Sequence, residues 1–274
     1  MNSAIRLVRE FAALGRILAP GDMLALGWKT LVNSPSILGT RRLTSLDAAM
    51  ARNLTVHYRN SRLFFPLRDI DNLLAAHNDN PTFGNVREIY GHDVYMRQLN
   101  LASPIGSVLD LGANRGMFSL MGLVTFGASL VVCVEPRTSY DPVMRLLVDA
   151  NQIKPERVVR YGRFITSPTE ERKDPEKNVS IETICKEQAV ECFGLVKIDI
   201  EGYEKDIFSE PAWLARVDNI TMELHPQFAG DLSSIPAALD EYGFKWRATG
   251  QMGEPREVNK AMFLYASRTG ALID

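Results

Sequence analysis

The spacing of hydrophobic residues changes character near residue 100. Before that point, Leu7, Phe11, Leu14 and Leu18 recur at helical intervals, and two β-rich runs flank the turn-forming "RNSR". These patterns predict, in chain order, an amphipathic helix over 3–18, an apolar helix over 23–32, a hairpin over 54–67, and helices over 69–77 and 87–99. We therefore expect residues 1–100 to form a helical and β-hairpin extension.

After residue 100, short apolar runs alternate with helical segments. The runs predict strands, which in chain order cover 105–111, 129–134, 157–165, 194–200, 217–224, 244–248 and 260–267. Strands that alternate with helices form a parallel sheet covered on both faces. The last two strands are joined without a helix, so we expect them to be antiparallel to each other. The predicted fold of 101–274 is therefore α/β, with a Rossmann-like, mostly parallel sheet of seven strands.

The charge and the cysteine content of the chain limit the functions and the cellular locations that the sequence supports. The net charge of −2 gives no global basis for binding nucleic acid, although residues 1–60 carry eight Lys/Arg against three acids. Three scattered cysteines suit a reducing compartment, and the sequence shows neither a signal peptide nor a bilayer-spanning run. We expect a cytoplasmic protein. Its N-terminal helices pack on the main domain or on a partner subunit, as in a homo-oligomer, or contact the inner face of a membrane peripherally.

The stretch "VLDLGANRGMFS" at 108–119 joins the first of these strands to a helix. Gly112 and Gly116 allow a tight turn and a close approach to a ligand, and the helix N-terminus favours a negative group. Asp110 can hold an amino group, and Glu135, at the end of the next strand, is placed to bind ribose hydroxyls. Because Asn114 stands where a dinucleotide fingerprint has glycine, S-adenosylmethionine fits this turn better than NAD.

The motifs "VLDLGANRGMFS", "VVCVEP", "LVKIDIEGYE" and "ITMELHP" resemble those of FkbM-type methyltransferases. The resemblance implies a seven-stranded methyltransferase fold that transfers a methyl group from S-adenosylmethionine, usually to a hydroxyl on a sugar or polyketide-like natural product. It assigns cofactor binding to Asp110, Gly112, Ala113, Asn114, Gly116, Phe118 and Ser119 near the methionine part, Glu135 and Pro136 near the ribose, Gly162 and Arg163 near the adenine, with Asp199, Tyr90 and Tyr95 also lining the cofactor.

A hydroxyl is a poor nucleophile, so its methylation needs a base or a metal. The candidates follow the fourth and fifth strands: Asp199, Glu201, Glu223 and His225. We assign His225 as the base, with a purely structural role as the alternative, and expect Asp199 and Glu201 to orient the acceptor. Alternatively, Asp199 and Glu201 could join His225 around a divalent metal. The stretch "IDIEG" lacks the paired aspartates typical of a magnesium site, so we favour a site without metal. Glu204 and Lys205 are expected on the surface of the following helix.

Two other functions compete with methyl transfer to a small-molecule or glycan acceptor. One is an NAD-type oxidoreductase, which the glycine spacing disfavours. The other is a non-catalytic adaptor that keeps the fold, which the intact "DLGANRG", Glu135 and "IDIEG" disfavour. We expect residues 1–100 to shape the acceptor pocket.

Overall fold

The computed structural model describes residues 3–40 and 42–273 of the 274-residue chain, with side chains from residue 7 onward. The strands are β1 (Asn53–Tyr58), β2 (Ser61–Pro66), β3 (Ser107–Leu111), β4 (Leu130–Val134), β5 (Val158–Tyr161), β6 (Phe164–Ile165), β7 (Asn178–Val179), β8 (Phe193–Ile198), β9 (Asn219–Glu223), β10 (Lys245–Thr249) and β11 (Phe263–Ser267). The α-helices are α1 (Ser3–Leu14), α2 (Pro20–Thr40), α3 (Thr44–Ala49), α4 (Leu67–Leu74), α5 (Phe83–Val86), α6 (Met117–Val124), α7 (Asp141–Ala150), α8 (Pro168–Lys173), α9 (Ile181–Glu187), α10 (Glu204–Ile207), α11 (Pro226–Ala229) and α12 (Ser234–Glu241).

The chain divides into two compact units. The first comprises the chain up to Asp93 together with Arg115–Thr125 and Ser139–Pro155, and the second comprises Val94–Asn114, Phe126–Thr138 and the chain from Glu156 onward. The first unit contains the predicted hairpin as β1–β2, in which Tyr58 pairs with Ser61 across the turn. The assignment of 1–100 as an extension of a domain at 101–274 stays a prediction.

A sheet of seven strands forms the centre of the second unit, within the described residues. Its strand order is β10-β11-β9-β8-β3-β4-β5, and β11 pairs antiparallel with both of its neighbours while the other pairs are parallel. This confirms the predicted α/β, Rossmann-like sheet. The chain order reverses between β3 and β8, and a ligand site in such sheets lies beyond the strand ends at this reversal.

Side chains along the central strands β3 and β8 point alternately to an apolar face and to a face that carries polar groups. Leu109, Leu111, Val196 and Ile198 join one buried core with residues of α9, α10 and α12. On the same strands Asp110 and Lys197 point the other way, because successive side chains alternate between faces. Placing charged residues in the two strands beside the reversal is costly unless they are paired.

The predicted helix over 87–99 is wrong beyond its first turn. A single π-helical turn covers Arg87–Gly91, and Asp93 has a left-handed φ of 52°. Downstream, the Tyr95 carbonyl accepts a hydrogen bond from Thr221 Oγ1 at 2.6 Å, and the Val94 carbonyl accepts one from the Tyr265 hydroxyl. These carbonyls accept hydrogen bonds from side chains of the sheet instead of from helical N–H groups. The tertiary contacts therefore override the helical pattern of the sequence.

Two other local predictions also fail. Helix α2 continues past residue 32 and through Pro35, because the Ser34 hydroxyl donates to the Leu31 carbonyl at 2.8 Å, where the proline supplies no N–H. The charges and prolines of "SPTEERKDPEKN" at 167–178 predict a surface loop, but the segment contains α8, which begins at Pro168 with Ser167 as its N-cap.

Candidate active site

The glycine turn follows β3 directly and lies against the ends of both neighbouring strands. Gly112 has a φ of 72°, and its N–H and that of Ala113 donate to the Val134 carbonyl at 2.9 and 3.0 Å. A Cβ at Gly112 would lie 1.7 Å from the Asp199 carbonyl oxygen. The turn therefore requires glycine both for its backbone conformation and for its contact with the chain after β8.

Glu135 lies at the end of β4, half-buried, and fixes the glycine turn. One carboxylate oxygen accepts the Asn114 N–H and the other accepts the Arg137 N–H, each at 2.9 Å. Each oxygen has a further lone pair for a hydroxyl donor. Asn114 itself is exposed with a left-handed φ of 48°.

A buried lysine that the sequence analysis missed lies beneath this turn. Lys197 Nζ donates to the Gly112 carbonyl at 2.7 Å and lies 3.4 Å from Asp110 and 3.5 Å from Asp199. Burial alone would lower the pKa of Lys197, but the charges of Asp199 and Asp110 outweigh it and raise that pKa. Asp110 is fully buried, so its charge is directed at the lysine. In the sequence, Lys197 is the single charged residue in the apolar run "GLVKI", and this feature could have identified it.

Tyr95 links the ends of β8 and β9. Its hydroxyl donates to Asp199 Oδ2 at 2.8 Å and lies 3.4 Å from Glu223 Oε2. Lys197 Nζ lies 5.3 Å from the centre of the tyrosine ring. One oxygen of Asp199 is thus held by tyrosine and lysine, while Oδ1 faces His225 at 3.9 Å from Nε2.

His225 is held from one side and faces carboxylates on the other. Its Nδ1 donates to Glu204 Oε1 at 2.7 Å, and its Nε2 lies 3.6 Å from Glu201 and 3.8 Å from Glu223. Glu204 is fully buried, so its expected surface position is wrong, whereas Lys205 is exposed as predicted. Glu201 and Gly202 both have positive φ values, and the turn that they form brings Glu204 back to His225.

The surroundings of His225 set its charge. Burial lowers the pKa of His225, but the hydrogen bond and charge of Glu204, with Glu223 and Asp199, raise it to about 9. The imidazole is therefore protonated at neutral pH, and it must release its Nε2 proton before it can act as a base. Asp199, Glu201 and His225 each offer a donor atom within 4.8 Å of the others, and together they could hold a metal ion.

Three more of the predicted cofactor residues surround the ends of β4 and β5. Pro136 is half-buried beside Glu135, and Gly162 is exposed after β5, where a Cβ would lie 3.3 Å from Thr138 Cγ2. Arg163 donates to a backbone carbonyl at 3.3 Å, with its guanidinium 5.4 Å from the Tyr161 ring centre. Their contact with adenine stays a prediction.

The other predicted cofactor residues belong to the first unit. Tyr90 is buried, and its hydroxyl donates to a backbone carbonyl of α6 at 2.7 Å. Gly116 has a φ of 80°, and a Cβ there would lie 2.3 Å from the Met144 side chain. Phe118 and Ser119 are buried in α6. Their contacts with a cofactor stay predictions.

A seven-stranded sheet in this order, with a glycine turn at the reversal and an acid after the second central strand, defines a Rossmann-like methyltransferase. The methyltransferase FkbM domain matches residues 110–246, half of the chain, and the chain belongs to that family. Its methyl donor is S-adenosylmethionine. No curated protein sequence matches the chain.

Solved structures similar to this chain include several methyltransferases. Precorrin-6y C5,15-methyltransferase from Geobacter metallireducens GS-15 is 15% identical with a TM-score of 0.39, covering 65% of this chain and 88% of that one. Ribosomal protein L11 methylase from Lactobacillus delbrueckii subsp. bulgaricus is 15% identical with a TM-score of 0.36, covering 59% and 69%. SMU.776 in complex with SAH is 10% identical with a TM-score of 0.42, covering 78% and 55%. Likenesses of this degree carry no argument about the acceptor.

The residues present fit S-adenosylmethionine. Glu135 offers carboxylate oxygens to ribose hydroxyls, and the glycine turn, with Asn114 exposed, lies at the strand reversal where the amino-acid part would bind. The cofactor supplies a methyl group on a positively charged sulfur. The chain's own task is to position an acceptor and to manage its proton.

Proposed function

We propose that this protein methylates a hydroxyl oxygen on a sugar, a glycan or a polyketide-like natural product, with S-adenosylmethionine as donor. The observation that supports this most is the group of ionisable residues at the ends of β8 and β9: His225 beside Asp199, Glu201 and Glu223. An alcohol holds its proton firmly at neutral pH, so its methylation needs groups that orient and remove that proton.

The positions of these residues support a separate role for each of them. Asp199 is fixed through Oδ2 by Tyr95, which leaves Oδ1 to accept a hydrogen bond from an acceptor hydroxyl. The Glu201 side chain is exposed and reaches the same point from solvent. We assign proton removal to His225, whose Nε2 faces the carboxylates and whose ring is fixed by Glu204. Oriented carboxylates suit a substrate with several neighbouring hydroxyls, as a sugar has.

The test is a screen of hydroxylated acceptors with purified protein and labelled S-adenosylmethionine, beginning with sugars and glycans. Label in an alkali-stable methyl ether would support the proposal, and label only in amines or carboxylates would contradict it. In His225→Ala we expect turnover to fall at least about 100-fold, the lower end of general-base contributions, with cofactor affinity nearly unchanged. Unchanged turnover would remove His225 from the proposed role.

A further inference from the structure

The Nε2 atom of His225 faces three carboxylates without a hydrogen bond to any of them. The nearest oxygens of Glu201, Glu223 and Asp199 lie at 3.6, 3.8 and 3.9 Å, and the described residues place no acceptor within hydrogen-bond distance. The side chain is 9% exposed, and its other nitrogen is bound to Glu204. Nε2 is directed into a group of carboxylates, and the described residues supply no hydrogen-bond partner for it.

The carboxylates are arranged as ligands rather than as hydrogen-bond acceptors. Asp199 uses Oδ2 for Tyr95 and directs Oδ1 toward His225. Two ligands bonded at about 2.1 Å to one ion lie at most about 4.2 Å apart, and the distances from Nε2 to Asp199 and Glu201 fall within that limit. Glu204 on Nδ1 matches the carboxylate that commonly orients a metal-binding histidine.

We propose that Asp199 Oδ1, Glu201 Oε2 and His225 Nε2 bind a divalent cation of the Mg²⁺–Mn²⁺ class, in contrast to the metal-free site expected from the sequence. Carboxylate ligands favour these hard ions, and the single imidazole favours Mn²⁺ over Mg²⁺. The three donors come from the turn after β8 and from the segment after β9. The tertiary fold, rather than a sequence motif, assembles the set.

The role of the cation rests on the proposed function. At this position it would hold the acceptor hydroxyl and favour release of the hydroxyl proton to Glu223, whose Oε1 lies 3.8 Å from Nε2. In the site without an ion, His225 is the base; with the ion bound, its Nε2 would be a ligand and Glu223 would take the proton. Binding of the ion itself requires neither acceptor nor methyl donor.

The test is calorimetric titration of the full-length, chelator-treated protein with MnCl₂, with electron paramagnetic resonance to count free Mn²⁺. We expect one ion per chain in the wild type and at least about tenfold weaker binding in Glu201→Gln, since one of three ligands is lost. Glu201 is 77% exposed, so this variant should fold. Glu257→Gln, equally exposed and paired with Lys260, is the matched control and should bind like the wild type.

Absence of Mn²⁺ binding by the wild type, or equal binding by Glu201→Gln, would overturn the cation site. The measurement separates the two proposals, because it contains no cofactor or acceptor. If Mn²⁺ binds and the acceptor screen yields no methyl ether, the cation site stands and the proposed function fails. If methyl ethers form in the presence of chelator and Mn²⁺ does not bind, the proposed function stands and the cation site fails.

Helix α2 provides a second, independent observation. Its outward side carries five large apolar residues that are 58–77% exposed, namely Leu24, Trp28, Leu31, Val32 and Leu38. They recur at helical spacing, whereas only Leu26 and Ile37 of this helix are buried. No described helix is both long and apolar enough to cross a bilayer. An apolar stripe of this size is normally covered.

The charges around α2 favour an anionic lipid surface as the occupant. Arg16 and Arg42, which flank α2 in the chain, are exposed, whereas Asp22 pairs with Arg52. A second copy of the chain would bring like charges together, whereas anionic headgroups would pair with them. We infer that α2 lies in the plane of a membrane surface, with its exposed stripe in the interface.

Sedimentation with vesicles tests this inference. We expect the full chain to bind phosphatidylcholine vesicles containing about 30% phosphatidylglycerol, less well as salt rises, and pure phosphatidylcholine weakly. Leu31→Glu should lose binding, while Leu73→Glu on α4, also at an exposed leucine, should retain it. No binding, or equal binding by both variants, would overturn the inference. A wild-type dimer that Leu31→Glu dissociates would instead identify a second copy as the occupant and would overturn it too.

Discussion

Glu204 Oε1 accepts the Nδ1–H of His225 at 2.7 Å from a position with no solvent exposure. The same oxygen lies 3.2 Å from the Gly202 nitrogen, so it also ties down the turn that carries Glu201. One buried carboxylate therefore fixes the direction of Nε2 and the path of the chain after β8, and it keeps the proton on Nδ1 when the ring becomes neutral. The orientation of His225 and Glu201 in the candidate site therefore depends on Glu204, which is itself fully buried.

Replacement of Glu204 by Gln should lower the pKa of His225 from about 9 toward its ordinary value of 6.5, because a neutral amide removes the nearest stabilising charge. Proton NMR titration of the histidine ring signals, in chelator, measures this directly. The signals of His77, a residue of the first unit, serve as the internal control. A pKa of His225 that stays near 9 would show that Glu223 and Asp199 set the charge instead.

Glu135→Ala should weaken binding of S-adenosylmethionine and S-adenosylhomocysteine by about 1–3 kcal/mol, through loss of hydrogen bonds to the ribose. It also removes the acceptors of the Asn114 and Arg137 N–H groups, so Glu135→Gln is the companion variant that keeps one oxygen. Calorimetric titration gives both affinities. Wild-type affinity in the alanine variant would exclude Glu135 from the ribose site.

Gly112→Ala should destabilise the protein by more than about 4 kcal/mol, because the new Cβ would meet the Asp199 carbonyl at 1.7 Å. Gly106→Ala is the matched control. Its φ of 71° is nearly the same, and no atom lies within 4 Å of the added Cβ, so backbone strain alone should cost about 1–2 kcal/mol. Urea midpoints followed by circular dichroism measure both changes. Equal losses in the two variants would contradict the contact between the turn and the chain after β8.

Lys197→Met should destabilise the protein by about 3–5 kcal/mol, since it leaves the Asp110 carboxylate buried without its cation. Lys260→Met removes an exposed lysine from a surface pair and should change stability by less than about 0.5 kcal/mol. Urea unfolding compares the two. Equal losses of stability in the two variants would show that Lys197 does not neutralise the buried charge of Asp110.

Glu10 makes the first unit sensitive to acid. Burial would raise the pKa of Glu10, but its hydrogen bond with His92 and the charge of Arg87 outweigh this and hold the pKa below 4.5. A lowered folded pKa contributes stability above the unfolded value of 4.5, and that contribution disappears as pH falls through the folded value. Glu10→Gln should be about 1–3 kcal/mol less stable than wild type at pH 7, with the difference shrinking below about pH 4. A constant difference would contradict this.

The sequence by itself was sufficient to predict the sheet and the position of the candidate site. Apolar runs separated by helical segments require a parallel sheet, and "DLGANRG" after the first of its strands, with Glu135 after the second, marks the reversal. These features are local in the chain: strand periodicity, a glycine turn and an acid at a strand end. Local physical chemistry is sufficient to predict them.

Only the tertiary structure decided which side chains meet. Lys197 and Asp110 lie far apart in the chain and become partners because β3 and β8 are neighbours. Residues 94–99 are not helical, since the sheet takes their carbonyls. Glu204 turns inward to His225 rather than out to solvent. In each case a long-range hydrogen bond or ion pair outweighs the helical or surface preference of the short segment that contains the residue.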